Sequence, residues 1–220
     1  MSPGFISARQ LLLVVASDWT SNGAYLGRYE RPGAAAPWVP AGSPLAVSLG
    51  RGGLAWGRAF LIPGISPGPI KREGDGCSPA GAFPITALFG VSAPAAGAKL
   101  PWLQATPDLK CVDDPDSWHY NRIVDQNSVD RIDWQSCEDM LRTDGRYEVG
   151  AVVGCNDDPV EPGAGSCLFL HVCSFYPLSH GPSTRHRGIT RPDFRPCSAC
   201  PPRSQAPLLP LRAPADCHPA

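Results

Sequence analysis

YEVGAVVGCNDDPVEPGAGSCLFLHV, residues 147–172, holds two apolar runs separated by a break rich in proline, glycine and aspartate. The runs, 147–156 and 166–172, are short and carry valine, leucine and phenylalanine, which is the composition of buried strands. The break, DDPVEPGAG, is turn chemistry. Two strands here decide the class of the protein, and the second of them brings a histidine, His171, to its end.

The same pattern continues upstream. LLLVVASDWTSNGAYLGRYE (11–30) reads as a β-hairpin, with Asn22-Gly23 as a tight type I′ turn. PLAVSLG (44–50) is a third strand, closed by the glycines of 50–53. The stretch 62–76 is a loop dense in proline and glycine. AGAFPITALFG (80–90) returns to strand, with Pro84 marking an edge or a bulge. The best helix candidate is DWQSCEDMLRTDG (133–145), which has starting signals at Asp133 to Ser136 and Gly145 past its end. The chain has 23 glycines, 26 prolines and only 18% charged residues. The expected fold is mainly β, a sandwich of mixed sheets with one or two short helices.

Composition also limits function. A formal net charge of −1 gives no electrostatic case for a nucleic-acid partner. The LLLVVA run is too short for a transmembrane segment or a signal-peptide core, so it is read as the first strand and localisation stays open. Nine cysteines are many for a chain in a reducing compartment. Five lie before residue 173 (Cys77, Cys111, Cys137, Cys155, Cys167) and four after it (Cys173, Cys197, Cys200, Cys217). Cys77, Cys111 and Cys137 fall where pairing is feasible, but sequence assigns no pairs.

Three blocks carry a resemblance: KREGDGCSPAGAFPI (71–85), CVDDPDSWHYNRIVD (111–125) and MLRTDGRYEVGAVVGCNDDPVEPGAGSCLFLHV (140–172). In order and spacing they resemble the YkuD-type L,D-transpeptidase catalytic domain, over roughly residues 45–172. The resemblance implies a β-sandwich, peptidoglycan stem peptides as partners, and acyl transfer through a cysteine thioester with no metal or cofactor. It also implies action outside the cytoplasmic membrane. Such chemistry needs a thiolate, a base and N–H donors for the oxyanion. On the family pattern His171 is the general base, and the nucleophile belongs about fifteen residues later in an [ST]-x-G-C turn.

That turn is not matched. Ser179-His180-Gly181 imitates its start, but Pro182 follows, and proline has neither a thiol nor a backbone N–H. From residue 173 the composition breaks. Residues 173–220 hold ten prolines and six arginines against two aspartates, formally +4, whereas the body has 13 basic against 18 acidic residues. The expected organisation is a transpeptidase-like domain over 8–172, incomplete at its C-terminal end, followed by an unstructured tail over 173–220. The most economical account is a change of reading frame or exon just after Val172. As written, the chain is expected to be inactive. The alternatives are a non-catalytic peptidoglycan-peptide binding module, or an enzyme using a relocated cysteine.

Other candidates are weaker. Cys173 is two residues beyond His171 on a strand, roughly 6–7 Å away, too far for direct activation. Cys197, Cys200, Cys217 and His218 suggest zinc, but adjacent Cys217 and His218 cannot easily meet one ion, and an accidental cluster is favoured. Lys71 to Gly76 reads as a solvated turn rather than a phosphate loop. Asp157, Asp158 and Glu161 read as loop carboxylates rather than calcium ligands.

Overall fold

The computed structural model describes residues 6–58 and 67–172. The tail from 173 onward, with Cys173, the C-x₂-C cluster and the expected disorder, lies outside the described residues, as does part of the 62–76 loop.

The described residues build thirteen strands in four sheets, so the chain is mainly β. β1 (Gln10–Ala16) and β2 (Gly23–Glu30) form an antiparallel hairpin in which Gln10 faces Glu30 and Ala16 faces Ala24. The far edge of β2 is shared by β3 (Val39–Pro40) and β4 (Leu45–Ser48). β5 (Leu54–Trp56) and β6 (Ser78–Ala80) make a parallel pair. The main mixed sheet uses β7 (Ile85–Gly90), β8 (Trp102–Gln104), β12 (Val149–Val153) and β13 (Phe169–His171), in the order β13-β12-β7-β8. The last sheet is β10-β9-β11, from β9 (Leu109–Val112), β10 (Ile123–Asp125) and β11 (Cys137–Asp139).

Two expectations are corrected. The hairpin does not turn on Asn22-Gly23. Its loop is wider, and Asp18 organises it by accepting from both the N–H (2.8 Å) and the hydroxyl (2.7 Å) of Thr20. Gly23 is already strand, opposite Ser48. The helix over 133–145 is absent as well. Its starting residue, Asp133, spends its carboxylate on the Ser117 hydroxyl (2.6 Å) and the Trp118 N–H (2.9 Å). Cys137–Asp139 pairs with β9 instead, and the Met140 N–H donates to the Leu109 carbonyl at 3.1 Å. No described helix is long and apolar enough to cross a membrane.

Pro84 acts as its position suggests. It stands just before β7 and leaves its carbonyl to the Gly154 N–H at 2.9 Å, and the β7–β12 register shifts beside it. A bulge next to a proline is how a sheet accommodates a missing donor.

The core lies where the main sheet meets the three-stranded sheet: Phe89, Cys111, Met140 and Tyr147, with Leu103, Leu109, Ile123, Val152, Cys167 and Phe169 around them. The fully buried Phe89 ring stands edge-on to Tyr147 (5.2 Å) and Phe169 (5.0 Å). Burying one such side chain is worth about 1.5–3 kcal/mol. Gly150 makes room for it, since a Cβ there would lie 2.2 Å from the Phe89 ring. This aromatic stack is also what holds the histidine strand in place.

Candidate functional site

His171 ends β13 directly opposite Gly150. Residues two apart on a strand share a face, so His171 follows Phe169 toward the aromatic stack. Its ring meets Tyr147 edge-on at 5.4 Å, and Tyr147 in turn meets Phe169 at 5.6 Å. Tyr147 is fixed from its other end. Its hydroxyl donates to Glu138 at 2.6 Å, and the Arg142 guanidinium lies 5.3 Å from the ring centre. Arg142 is itself held by Asp144 at 2.6 Å and Glu138 at 3.7 Å. A chain of aromatic and charged contacts thus sets the plane of an exposed imidazole.

The tautomer follows from one contact. His171 Nδ1 lies 2.9 Å from the Val172 carbonyl oxygen, which can only accept, so Nδ1 carries the proton. The neutral ring then keeps a lone pair on Nε2, which has no hydrogen-bond partner among the described residues.

No thiol among the described residues answers it. Cys77, Cys137 and Cys155 are free, and none makes a hydrogen bond or ring contact with His171. Burial pushes the Cys155 thiol up to about 11, and burial together with the Asp75 carboxylate raises Cys77. In both, the surroundings disfavour the thiolate that a nucleophile requires.

The three sequence blocks meet in a buried polar lock instead. Glu73, from the first block, accepts hydrogen bonds from the Tyr120 hydroxyl (2.5 Å) and the Ser166 hydroxyl (2.7 Å), from the second and third. Tyr120 also takes the Gly165 N–H at 3.1 Å. The Asn121 amide donates to the carbonyls of Cys155 (3.0 Å) and Asn156 (2.7 Å), while its oxygen accepts from Cys167 N–H at 3.0 Å. Asn156, 1% exposed, donates to the Glu161 and Gly165 carbonyls and accepts the Glu161 N–H.

The KREGDG turn is part of this lock: it is held, as expected, by local hydrogen bonds to Asp75 and Glu73, but its lysine is buried rather than solvated. Lys71 is only 6% exposed and pairs with Asp75 at 2.5 Å, because its stem lies under Gly165. Burial pushes the Asp75 carboxyl up. Its bonds from Lys71 and from the N–H groups of Arg72 and Cys77 outweigh that, and the net shift is downward. Asp157 faces Arg122 at 3.1 Å and Glu161 faces Arg58, so both carboxylates have protein partners. Among the described residues no group of three or more histidine, cysteine or acidic side chains is placed to hold a metal.

Sequence reasoning singled out none of Tyr120, Asn121, Asn156 and Ser166, although all four lie inside the quoted blocks. Their signal was polar residues in turn-rich sequence, Asn156 and Ser166 beside cysteine or glycine and Tyr120 and Asn121 between His119 and Arg122, which by itself does not separate a surface loop from a buried one. The disulfide was open too, and the structure joins Cys111 to Cys167, 56 residues apart, leaving Cys77 and Cys137 free.

Two phenols report on this packing. Burial first, and then a hydrogen bond to Glu73 or Glu138, hold Tyr120 and Tyr147 well above the usual tyrosine value of 10. A group bound more tightly to its proton in the folded chain stabilises the fold below its unfolded pKa. That contribution is lost as pH rises past about 10 toward the folded values. Ultraviolet difference absorbance should therefore show two of the five tyrosines silent until the alkaline unfolding transition. Five independent ionisations near pH 10 in folded protein would contradict the lock.

No family model, curated protein or solved structure matches the chain.

Proposed function

We propose that this chain is an L,D-transpeptidase-like domain of peptidoglycan cross-linking, with a YkuD-like sandwich fold, His171 as the retained general base, and the matching nucleophile lost after Val172. The observation that carries the reading is the lock on Glu73. The three separated blocks that resemble the family converge on one buried network, so the resemblance falls on a single physical unit rather than on scattered words.

The tautomer of His171 supports the assigned role. With Nδ1–H given to Val172, Nε2 is the atom that would take the proton of an incoming thiol, leaving a thiolate to attack the stem-peptide carbonyl. The Cys111–Cys167 bond fits an oxidising compartment, as cell-wall chemistry outside the membrane would require.

Resequencing the genomic and transcript DNA from codon 165 past codon 220 is the first test. An alternative frame encoding [ST]-x-G-C about fifteen residues after His171 would support the assignment. The restored protein should then be acylated by a carbapenem, seen as a mass increase, and His171→Ala should slow acylation by about 10²–10⁴-fold. If the present frame is confirmed, the chain should keep its mass with carbapenem and still bind a stem tetrapeptide without turnover. Absence of binding in that case overturns the reading. Acylation that disappears with Cys173→Ser or Cys197→Ser would instead establish a relocated nucleophile.

A further inference from the structure

We propose that the cavity beside Trp118 is a saccharide subsite that seats a neutral pyranose ring on the Trp118 indole. The cavity, about 430 Å³, opens between the 117–119 turn and the segment 128–133. That volume is within the range of small-molecule sites, about 300–1,000 Å³.

Trp118 is 94% exposed, the most exposed of the large apolar side chains in the described residues. Its backbone, by contrast, is tightly held. Asp133 takes the Trp118 N–H and the Ser117 hydroxyl, and Ser117 takes the His119 N–H at 3.0 Å. Asp114, itself buried, takes the N–H groups of Asp116 (3.0 Å) and Gln135 (2.6 Å). His119 stands edge-on to the buried Trp134 at 5.5 Å. A turn this constrained, presenting an indole to water, contributes nothing to the core through that ring. Its backbone is pre-positioned, so that only the rotamers of the indole side chain are left to order on binding.

The chemistry around the ring selects the ligand class. Ser128, Asp130 and Arg131 line the cavity, and among the described residues none of their side chains has a hydrogen bond or ion pair. An apolar side chain docked there would strip water from Asp130 and Arg131 without replacing it. A phosphate would meet the carboxylates of Asp130 and Asp133. A pyranose has one face of C–H groups for the indole and a rim of hydroxyls that both donate and accept, which fits an acid, a guanidinium and a hydroxyl on one rim. This goes beyond the acyl-transfer reading and is independent of it, because the ligand is a sugar and the readout is binding.

The test is titration of the full-length protein with N-acetylglucosamine, its β-1,4 tetramer, cellotetraose and maltotetraose, followed by indole N–H resonances and calorimetry. At least one saccharide should move the Trp118 indole resonance saturably. Trp118→Ala should weaken that binding at least about tenfold, as truncating a central aromatic contact does. Its thermal midpoint should be unchanged, and Trp118→Tyr should restore part of the affinity. A tetramer binding better than the monomer assigns a polymeric glycan, and equal binding a single-ring subsite. No saturable shift with any of the four, undiminished binding by Trp118→Ala, or a shift given only by a stem-type peptide overturns the proposal.

Discussion

Opening the Cys111–Cys167 bridge, by reduction or by the paired Cys111→Ala and Cys167→Ala changes, is expected to lower the unfolding free energy by about 4 kcal/mol. The bridge joins residues 56 apart, and cross-linking a loop of that size removes the loop-closure entropy from the unfolded chain. Small domains have only about 5–15 kcal/mol in hand, so the loss is a large share of the total. The bridge also ties β9, in the core, to the turn that leads into the His171 strand. Urea denaturation with and without reductant measures the effect. A midpoint that does not move would mean that the lock alone holds this turn.

Asn156→Ala is expected to cost about 3–5 kcal/mol. The alanine removes three hydrogen bonds and leaves the buried Gly165 carbonyl without its donor. It also puts a residue that dislikes the left-handed region at φ 54°. Asn156→Asp should be no better, since the donors facing two carbonyl oxygens become acceptors. Asn127→Ala, on the surface, serves as the control and should stay within about 0.5 kcal/mol of the native chain. Equilibrium unfolding of the three variants decides the matter. A cost below 1 kcal/mol for Asn156→Ala, as an order-of-magnitude threshold, would mean that water readily replaces the lost partners.

Strands declared themselves wherever packing and propensity pull the same way. β4, β7, β12 and β13 fall inside apolar runs bounded by turn residues, whereas β1 and β2 were legible from strand propensity alone, since Leu12, Leu13, Val14, Val15 and Tyr25 are exposed. The misread helix shows where this stops. Asp133 and Ser136 look like starting residues, yet a capping carboxylate is equally able to hold a distant turn, and Asp133 does so at Ser117 and Trp118. Met140 is buried beside the strand pairing of its segment and Trp134 against His119, neither on a helical face. Asn22-Gly23 failed similarly, because Asp18 offers its own side chain to the loop and so sets a wider turn.

The candidate site divides along the same line. His171 was legible as the end of an apolar strand, and its alignment with Tyr147 was not, since that contact depends on the main sheet's order. Glu73 and Lys71 look like surface charges in any local window. Only the approach of Tyr120, Ser166 and Gly165 from far along the chain turns them inward. Spacing could not pair Cys111 with Cys167 for the same reason.

The strand order also has a consequence for how the chain is made. β7 lies between β8 and β12 in the sheet, and four strands are synthesised between β7 and β12. Glu73 waits longer still for Ser166. During synthesis the Ile85–Gly90 strand must therefore stay unpaired on one edge until nearly the whole body has emerged. Folds dominated by such distant pairings are slow to form and pass through a period of exposed strand edges. The ribosome would release this body almost complete before its sheet can close. Chaperone demand should accordingly track how fast β12 and β13 are delivered rather than how well the first hairpin forms.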